Sequence, residues 1–423
     1  MGENDFQDMD FEMGLPIVDI PQTQNCIIKV VGVGGGGSNA VNHMFREGIH
    51  DVSYVVCNTD KKALDDAAVP NRLQLGSDGL GAGNRPQKAR KAAEESMDAI
   101  HDMLNDGTRM VFITAGMGGG TGTGAAPIIA RCAKESGILT VGIVTIPFKF
   151  EGNMKINQAL DGVEEISKHV DALLVINNER LRDIYRNLTI SDAFAKADDT
   201  LTVAAKSIAE IITMRGTINL DFEDVTTVLK DGGVAIMSTG YGEGENRVTK
   251  ALYEALHSPL LNHNDIFDSK KILLNINHCG DNDANSLMME EFNEIHEFMG
   301  KFRCDVEVKW GLATDSSLGA KVKITLLATG FGLQSINGMS GGHQEEKKNS
   351  ATEEEQEKEQ NRIDQIEILY GSSKNIGRHR HNNIFIYTED NFDNDDIISR
   401  VDAIPTCERT KEELKKLKNE FSE

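Results

Sequence analysis

Residues 115–127 read Ala-Gly-Met-Gly-Gly-Gly-Thr-Gly-Thr-Gly-Ala-Ala-Pro. They follow an apolar run at residues 110–114 that is typical of a buried strand, and they lead into a helical pattern at residues 125–134. Glycines let successive backbone N–H groups converge on an anion, and the start of the helix adds partial positive charge. Thr121 and Thr123 add hydroxyl donors. The stretch therefore predicts a phosphate-binding turn, since a flexible linker is rarely clamped between a strand and a helix.

The composition is that of a large, acidic, globular chain. It has 423 residues, of which 39% are hydrophobic, and a formal net charge of −23 at pH 7. This charge argues against general binding to nucleic acid or to an anionic membrane, because both rely on basic surfaces. The six cysteines are scattered, and the chain shows neither a signal-peptide pattern nor an apolar stretch long enough to span a membrane. We therefore expect a cytoplasmic protein without membrane insertion.

A second glycine turn occurs earlier in the chain. Gly32, Gly34 and Gly37 form the pattern G-x-G-x-x-G between a predicted strand and a predicted helix, and Asp60 follows the next predicted strand. On its own, this β-α-β unit would predict a nicotinamide-dependent oxidoreductase, with the acid on a ribose hydroxyl. That function is the main alternative.

Strands and helices alternate through the first half of the chain. The predicted strands are residues 27–33, 52–56, 110–114, 138–146 and 172–176, and the predicted helices are residues 38–46, 85–105, 125–134 and 157–169. A third glycine loop at residues 80–84 precedes the second of these helices. The alternation predicts an α/β fold with a doubly wound, Rossmann-type sheet, in which ligands bind beyond the carboxyl ends of the strands.

A long central helix follows this half. Ser191 is its predicted N-cap, apolar residues recur at three- and four-residue spacing up to Met214, and Arg215 and Gly216 end it. A second, smaller α/β domain is predicted after Gly233. Its predicted strands are residues 234–238, 272–277, 306–310 and 322–329, and its predicted helices are residues 246–256 and 284–299.

These patterns divide the chain into six segments. They are a mobile N-terminal extension (1–24), a nucleotide-binding domain (25–190), the central helix (191–216), a C-terminal α/β domain (217–333), a disordered linker (334–396) and a terminal peptide with a basic end (397–423). The linker is predicted from its Gln, Glu, Lys, Asn and Ser content. Composition alone does not separate a peptide ligand from a solubilising tail at the end of the chain.

Two glycine turns from different strands favour a nucleoside triphosphate over a dinucleotide, because a dinucleotide has a single pyrophosphate. The chain has no G-x-x-x-x-G-K-S/T, so backbone N–H groups, helix starts and Mg²⁺ are expected to meet the phosphate charge. Glu151 suits ribose hydroxyls, and Asn39, Asn178 and Asp199 suit a base edge. A carboxylate that faces N1–H and the amino group would favour guanine, although an acid on a helix is most often simply solvated.

Four segments recur in the order found in one known family. They are Gly-Gly-Gly-Thr-Gly-Thr-Gly at residues 118–124, the turn at residues 34–39, residues 147–152 and residues 219–224. Over residues 26–333 the chain closely resembles the FtsZ family, the bacterial tubulin homologues of cell division. The resemblance implies a tubulin-like fold, a GTPase that binds GTP or GDP with Mg²⁺, and head-to-tail polymers at the mid-cell division ring. It also implies that the terminal peptide binds membrane adaptors and division regulators.

The resemblance assigns a nucleotide contact to individual positions. These are Gly35, Gly36, Gly37, Ser38 and Asn39 in the first turn, Ala82 and Gly83 near the γ-phosphate, Gly120, Thr121 and Gly122 in the signature, and Glu151, Lys155, Asn178, Phe194 and Asp199 around the nucleoside. Lys155 stands where many members have arginine, which keeps the charge and loses the bidentate fork.

Asn219, Asp221 and Asp224 resemble the synergy loop that one subunit inserts into the nucleotide site of the next. The resemblance therefore implies that assembly completes the catalytic site. From the residues alone, the first turn of a helix is the favoured interpretation, with Asp221 as an N-cap and Asp224 as an acid near the helix dipole. A scaffold that binds GTP without hydrolysing it is a third hypothesis. The ligands of the Mg²⁺ ion are left unassigned.

Overall fold

A computed structural model describes residues 26–49, 51–185, 189–214, 216–258, 266–280, 286–302 and 306–331. The predicted N-terminal extension, linker and terminal peptide lie outside these residues. The described strands are β1 (Ile28–Val33), β2 (Val52–Asn58), β3 (Arg72–Gln74), β4 (Met110–Gly116), β5 (Leu139–Ile146), β6 (Ala172–Asn177), β7 (Gly216–Ile218), β8 (Gly233–Gly242), β9 (Lys271–His278), β10 (Glu307–Thr314) and β11 (Val322–Phe331). The described α-helices are α1 (Gly34–Glu47), α2 (Lys61–Asp65), α3 (Pro86–Glu95), α4 (Met97–Leu104), α5 (Thr121–Glu135), α6 (Asn153–Ser167), α7 (Asn178–Ile184), α8 (Ile190–Thr213), α9 (Phe222–Leu229), α10 (Arg247–Leu256) and α11 (Met289–Met299).

The described strands form one sheet in the order β3-β2-β1-β4-β5-β6-β8-β11-β9-β10-β7. Neighbouring strands from β3 to β6 are parallel. A short parallel pairing attaches β8, with Ala172 opposite Gly233 and Leu173 opposite Val234. Beyond this seam, β11 is antiparallel to both of its neighbours, and β7 is antiparallel to β10. The carboxyl ends of β1, β4, β5 and β6 therefore lie together at one end of the sheet.

The apolar core continues across this seam. Phe112 of β4, Ile208 of α8, Leu273 of β9 and Leu327 of β11 are fully buried members of one hydrophobic cluster. With 24 residues, α8 is about 36 Å long and contributes a wide apolar stripe to the cluster. It is the predicted central helix.

The glycine turns are already helical. The sequence patterns predicted helices from residues 38 and 125, whereas α1 begins at Gly34 and α5 at Thr121. A Cβ at Gly37 would lie 2.3 Å from the carbonyl oxygen of Thr114, so only glycine lets α1 approach β4 this closely. The predicted starts were wrong because glycine has low helix propensity, which close packing overrides here.

Several other boundaries differ from the sequence predictions. The helix predicted at residues 85–105 is two helices that part at Ser96. The N-cap of α8 is Thr189 and not Ser191, because the Thr189 hydroxyl accepts a hydrogen bond from the Asp192 N–H at 3.2 Å. The helix predicted at residues 284–299 begins at Met289. Sequence patterns missed β3, β7, α2 and α7, which are too short to show a clear period.

Candidate functional site

The two glycine turns meet at the carboxyl ends of β1 and β4. A Cβ added at Gly34 would lie 2.8 Å from the backbone nitrogen of Gly122. Gly34 also has a φ of +73°, which residues with a side chain rarely adopt. The starts of α1 and α5 are therefore side by side, so the partial positive charges of two helix N-termini add at one place. Such a place suits a polyanion.

The third glycine loop approaches the same place. A Cβ added at Gly120 would lie 2.8 Å from the Cβ of Ala82 and 3.0 Å from the backbone nitrogen of Arg85. Gly83 follows with a φ of +59°. We call residues 34–39, 82–83 and 118–123 the cradle. Three separate segments that the sequence singled out are thus in close contact with one another.

Part of the cradle faces open space. Apart from the chain immediately before and after each glycine, no described protein atom lies within 4 Å of the position that a Cβ would take at Gly35, Gly83 or Gly119. The hydroxyl of Ser38 is buried, and it has no hydrogen-bond partner among the described residues. A buried hydroxyl normally has a partner. The open space and the unpartnered hydroxyl together fit a bound phosphate group.

Residues 118–124 form the signature turn, and its two threonines are held inside the protein. The hydroxyl oxygens of Thr121 and Thr59 are 2.7 Å apart and buried. The hydroxyl of Thr123 accepts a hydrogen bond from the Gly118 N–H at 2.9 Å. These bonds fix the turn, so Thr121 and Thr123 position backbone groups. Thr59 was not predicted as a site residue, and its only sequence signal is its place shortly after the strand predicted at residues 52–56.

Glu151 and Lys155 lie beside the signature turn. A Cβ at Gly118 would lie 2.7 Å from the carbonyl oxygen of Lys155, which places α6 against the cradle. The Lys155 ammonium is 3.2 Å from Oε2 of Glu151. The other carboxylate oxygen of Glu151 accepts a hydrogen bond from the Phe148 N–H at 2.9 Å. Glu151 is thus held in one orientation by the chain on both sides of it.

An aromatic cluster lies next to these groups. The rings of Phe148 and Phe150 stack at 5.1 Å, and Phe194 meets both edge-on, at 5.2 and 6.3 Å. Phe150 and Phe194 are exposed, so they offer an apolar face to a flat ligand. The side-chain oxygen of Asn178 is buried and has no partner among the described residues. Sequence analysis assigned no role to Phe148 or Phe150, although they alternate in the segment after β5.

Asp199 lies where α8 meets α1. One of its carboxylate oxygens accepts a hydrogen bond from Lys196, and the other is 3.7 Å from Nε2 of His43. This hydrogen bond raises the pKa of Lys196. Asn39 is one helical turn before His43 on α1 and is exposed. The structure therefore brings Asn39 and Asp199 to the same end of the sheet as the cradle.

Asp198 offers a test of this contact between helices. Burial raises the pKa of the half-buried Asp198 to about 6, and the charge of His43 opposes that rise. A raised folded-state pKa means that the stability contributed by the protonated acid is lost as pH rises through about 6. We expect Asp198→Asn to raise the free energy of unfolding by about 1–2 kcal/mol at pH 7.5, with a gain that shrinks towards pH 4. Urea unfolding at several pH values measures it.

The matched control for this prediction is Asp102→Asn, which changes an exposed acid on another helix. It should leave stability within about 0.5 kcal/mol of the original. A gain from Asp198→Asn that stayed constant from pH 7.5 to pH 4 would contradict burial as its cause.

Asn219, Asp221 and Asp224 lie at the other end of the sheet from the cradle. Arg109, directly before β4, is 3.2 Å from the carboxylate of Glu223. The signature turn directly follows β4, which has seven residues. We call residues 219–224 the synergy loop. This loop and the cradle are therefore about 23 Å apart along β4.

Hydrogen bonds fix the acids of the synergy loop. Oδ1 of Asp221 accepts from the Asp224 N–H at 2.8 Å, and Oδ2 of Asp224 accepts from the Asp221 N–H at 3.2 Å. This capping box confirms the interpretation of the pair as a helix start. The hydrogen bond from Lys309 lowers the pKa of Asp224. Asp224 is therefore an ionised hydrogen-bond acceptor at neutral pH, while Asn219 accepts from the Gly216 N–H at 2.7 Å.

The described residues contain no cluster of three His, Cys, Asp or Glu side chains that could hold a metal. At nucleotides, Mg²⁺ usually takes its ligands mainly from phosphate oxygens and water. Within the same described ranges, no helix is both long and apolar enough to cross a bilayer.

Comparison with known proteins identifies the family. Residues 27–186 match the Tubulin/FtsZ family GTPase domain, residues 233–332 match the FtsZ family C-terminal domain, and residues 379–423 match a further FtsZ C-terminal model. Cell division protein FtsZ of Porphyromonas gingivalis is 58% identical over 328 residues, which cover 77% of this chain and 69% of that protein. The chain belongs to the FtsZ family.

Solved structures agree with membership of the FtsZ family. An empty FtsZ dimer from M. jannaschii is 38% identical, with a TM-score of 0.65 over 72% of this chain and 88% of that chain. CetZ2 from Haloferax volcanii, a GTPγS-bound protofilament, is 18% identical, with a TM-score of 0.62 over 80% of this chain and 99% of that chain. The second likeness shows the fold alone. The predicted tubulin-like α/β fold is confirmed.

FtsZ-family membership leaves the oxidoreductase alternative without support. Asp60, the acid expected on a ribose in that alternative, caps α2 instead. Its Oδ1 accepts from the backbone N–H groups of Lys62 and Ala63 at 3.0 and 3.4 Å. The G-x-G-x-x-G pattern suggested a dinucleotide because it describes only one of the three loops that form the cradle.

Proposed function

We propose that this FtsZ-family chain binds GTP at the cradle and polymerises head to tail, and that the synergy loop of one subunit completes the hydrolytic site of the next. The observation that carries the proposal is the position of the loop and the cradle at opposite ends of one sheet. Because β4 separates them within a chain, a second copy is needed to bring them together. The family assignment supports GTP as the nucleotide.

The proposal gives each predicted contact a role. The residues proposed to bind phosphate are Gly35, Gly36, Gly37, Ser38, Ala82, Gly83, Gly120, Thr121 and Gly122. The residues proposed to bind the nucleoside are Asn39, Glu151, Lys155, Asn178, Phe194 and Asp199. Backbone N–H groups and two helix starts would replace the lysine of a P-loop at the phosphates. Phe194 would pack on the base. The Asp199 carboxylate would release its hydrogen bond from Lys196 and accept from the N1–H and amino group of guanine instead.

Hydrolysis requires a water molecule to be held in line with the γ-phosphate. Asp224 suits this role because it is ionised and its carboxylate orientation is fixed by Asp221 and Lys309. Asp221 and Asn219 would hold the loop in the neighbour's site. A Mg²⁺ ion, when bound, would neutralise phosphate charge.

The first test is the dependence of GTPase rate on protein concentration. If subunits complete one another's sites, phosphate release per subunit should rise steeply with concentration, and protein should pellet with GTP but not with GDP. A malachite-green series with parallel sedimentation measures both. A rate per subunit that is constant over the whole series would exclude hydrolysis in trans, and unchanged pelleting with GDP would exclude GTP-driven assembly.

We further propose that the polymer acts in the division ring, since the relatives are named cell division proteins. The terminal peptide would bind membrane adaptors and division regulators. This proposal is supported by the FtsZ C-terminal model that matches residues 379–423, which lie outside the described residues.

A further inference from the structure

We propose that Lys309 is a positioning residue for hydrolysis in trans, because its ammonium holds Asp224 and offsets the charge of that carboxylate near the triphosphate of the next subunit. The inference rests on the proposed function. Lys309 lies on β10 and Asp224 in the first turn of α9, and their Nζ and Oδ1 atoms are 2.9 Å apart.

Lys309 and the loop backbone together fix the Asp224 carboxylate. Oδ2 accepts from the Asp221 N–H, and Oδ1 accepts from Lys309. Both side chains remain within reach of solvent, with 26% of Asp224 and 35% of Lys309 exposed. The carboxylate is therefore oriented by the protein and still accessible to a partner. Without Lys309, only one of its two oxygens would keep a fixed donor.

The charges around Lys309 give it a second effect. Asp221, Asp224 and Glu307 all interact electrostatically with its ammonium. A triphosphate is a polyanion, so a loop that carries two carboxylates is repelled as it approaches one. One cation at 2.9 Å from Asp224 reduces this repulsion and leaves the acceptor oxygens in place. Lys309 thus lets an acidic loop enter an anionic site.

The test uses the full chain with Lys309 replaced by methionine. At saturating GTP and protein, we expect Lys309→Met to lower phosphate release about tenfold, because Asp224 loses one charge-assisted hydrogen bond. Nucleotide binding by the unassembled subunit should stay unchanged. Lys309→Arg should restore most of the rate. Circular dichroism melting should show little change, because a partly exposed ion pair adds little stability.

Two further measurements separate positioning from a structural effect. In an Asp224→Asn background, adding Lys309→Met should cause no further loss of rate, since the residue acts through Asp224. Lys309→Met should also weaken assembly, and this effect should be largest at low salt and should shrink as salt screens the repulsion. A structural defect would add to Asp224→Asn and would not be relieved by salt.

Lys321→Met is the matched control, since it removes an exposed lysine just before β11. It should leave the rate within about twofold of the original. If Lys309→Met hydrolyses GTP at the original rate while that rate still rises with protein concentration, the inference about Lys309 is wrong and the proposed function stands. If the original protein shows no dependence on concentration, the proposed function itself fails.

Discussion

Asp224→Ala should lower GTP turnover about 100-fold or more while leaving GTP binding intact, because it removes the ionised acceptor that we propose the synergy loop offers to the next subunit. Asp224 is at the opposite end of the sheet from the cradle, so its loss should not reach nucleotide binding in the same chain. Phosphate release at saturating protein measures turnover. Equilibrium dialysis with labelled GTP measures binding.

The alanine variant also loses the capping box and the contact with Lys309, at a cost of about 1 kcal/mol in stability. Asp224→Asn separates this effect, because an amide oxygen can still accept from the Asp221 N–H. We expect both variants to lose turnover. Glu290→Ala, which removes an exposed acid from the first turn of α11, is the control and should retain it. Near-original turnover by Asp224→Asn would exclude this carboxylate from the chemistry.

Gly35→Ala and Gly119→Ala should each weaken GTP binding at least tenfold while leaving the fold stable. Apart from the chain immediately before and after each glycine, no described protein atom lies within 4 Å of the added Cβ at either position, and neither glycine has a positive φ. The methyl group would therefore occupy only the space that the proposal gives to phosphate, and a clash of this kind costs about 1–3 kcal/mol. Thermal unfolding without nucleotide and GTP binding measure the two effects.

Gly300→Ala is the matched control, since Gly300 is also free of a positive φ and lies in the C-terminal half of the chain. It should change neither property. Gly37→Ala should differ from all three, because its Cβ would lie 2.3 Å from the Thr114 carbonyl oxygen and would disturb the fold itself. Unchanged GTP affinity in both Gly35→Ala and Gly119→Ala would show that no phosphate approaches these positions.

Sequence patterns were most successful where hydrophobic runs are long. The apolar runs of β1, β4 and β5 predicted buried parallel strands, and α8 was predicted from its three- and four-residue spacing. They failed at the glycine turns, where packing against Thr114 and Gly122 lets a helix begin inside a sequence of low helix propensity. Strands as short as β3 and β7 depend on pairing with distant partners, which local sequence does not encode.

The candidate site was predictable in its anion-binding part and not in its supporting contacts. Glycine spacing after strands indicated the three loops, because that pattern follows directly from backbone geometry. Nothing local to Thr59 predicts a hydroxyl contact with Thr121, and nothing local to Lys309 predicts an ion pair with an acid far away in the chain. Such pairs arise only when the sheet order is known.

The sheet order also determines how many complete hydrolytic centres a filament could contain. Since the cradle and the synergy loop of one molecule lie at opposite ends of the sheet, every complete hydrolytic centre in a filament would lie at an interface between two molecules. A filament would contain one fewer such interface than it has molecules, and the nucleotide at one tip would not be hydrolysed. Short filaments would then hydrolyse less GTP per molecule than long ones. The intact nucleotide at one tip would also mark the polarity of the filament.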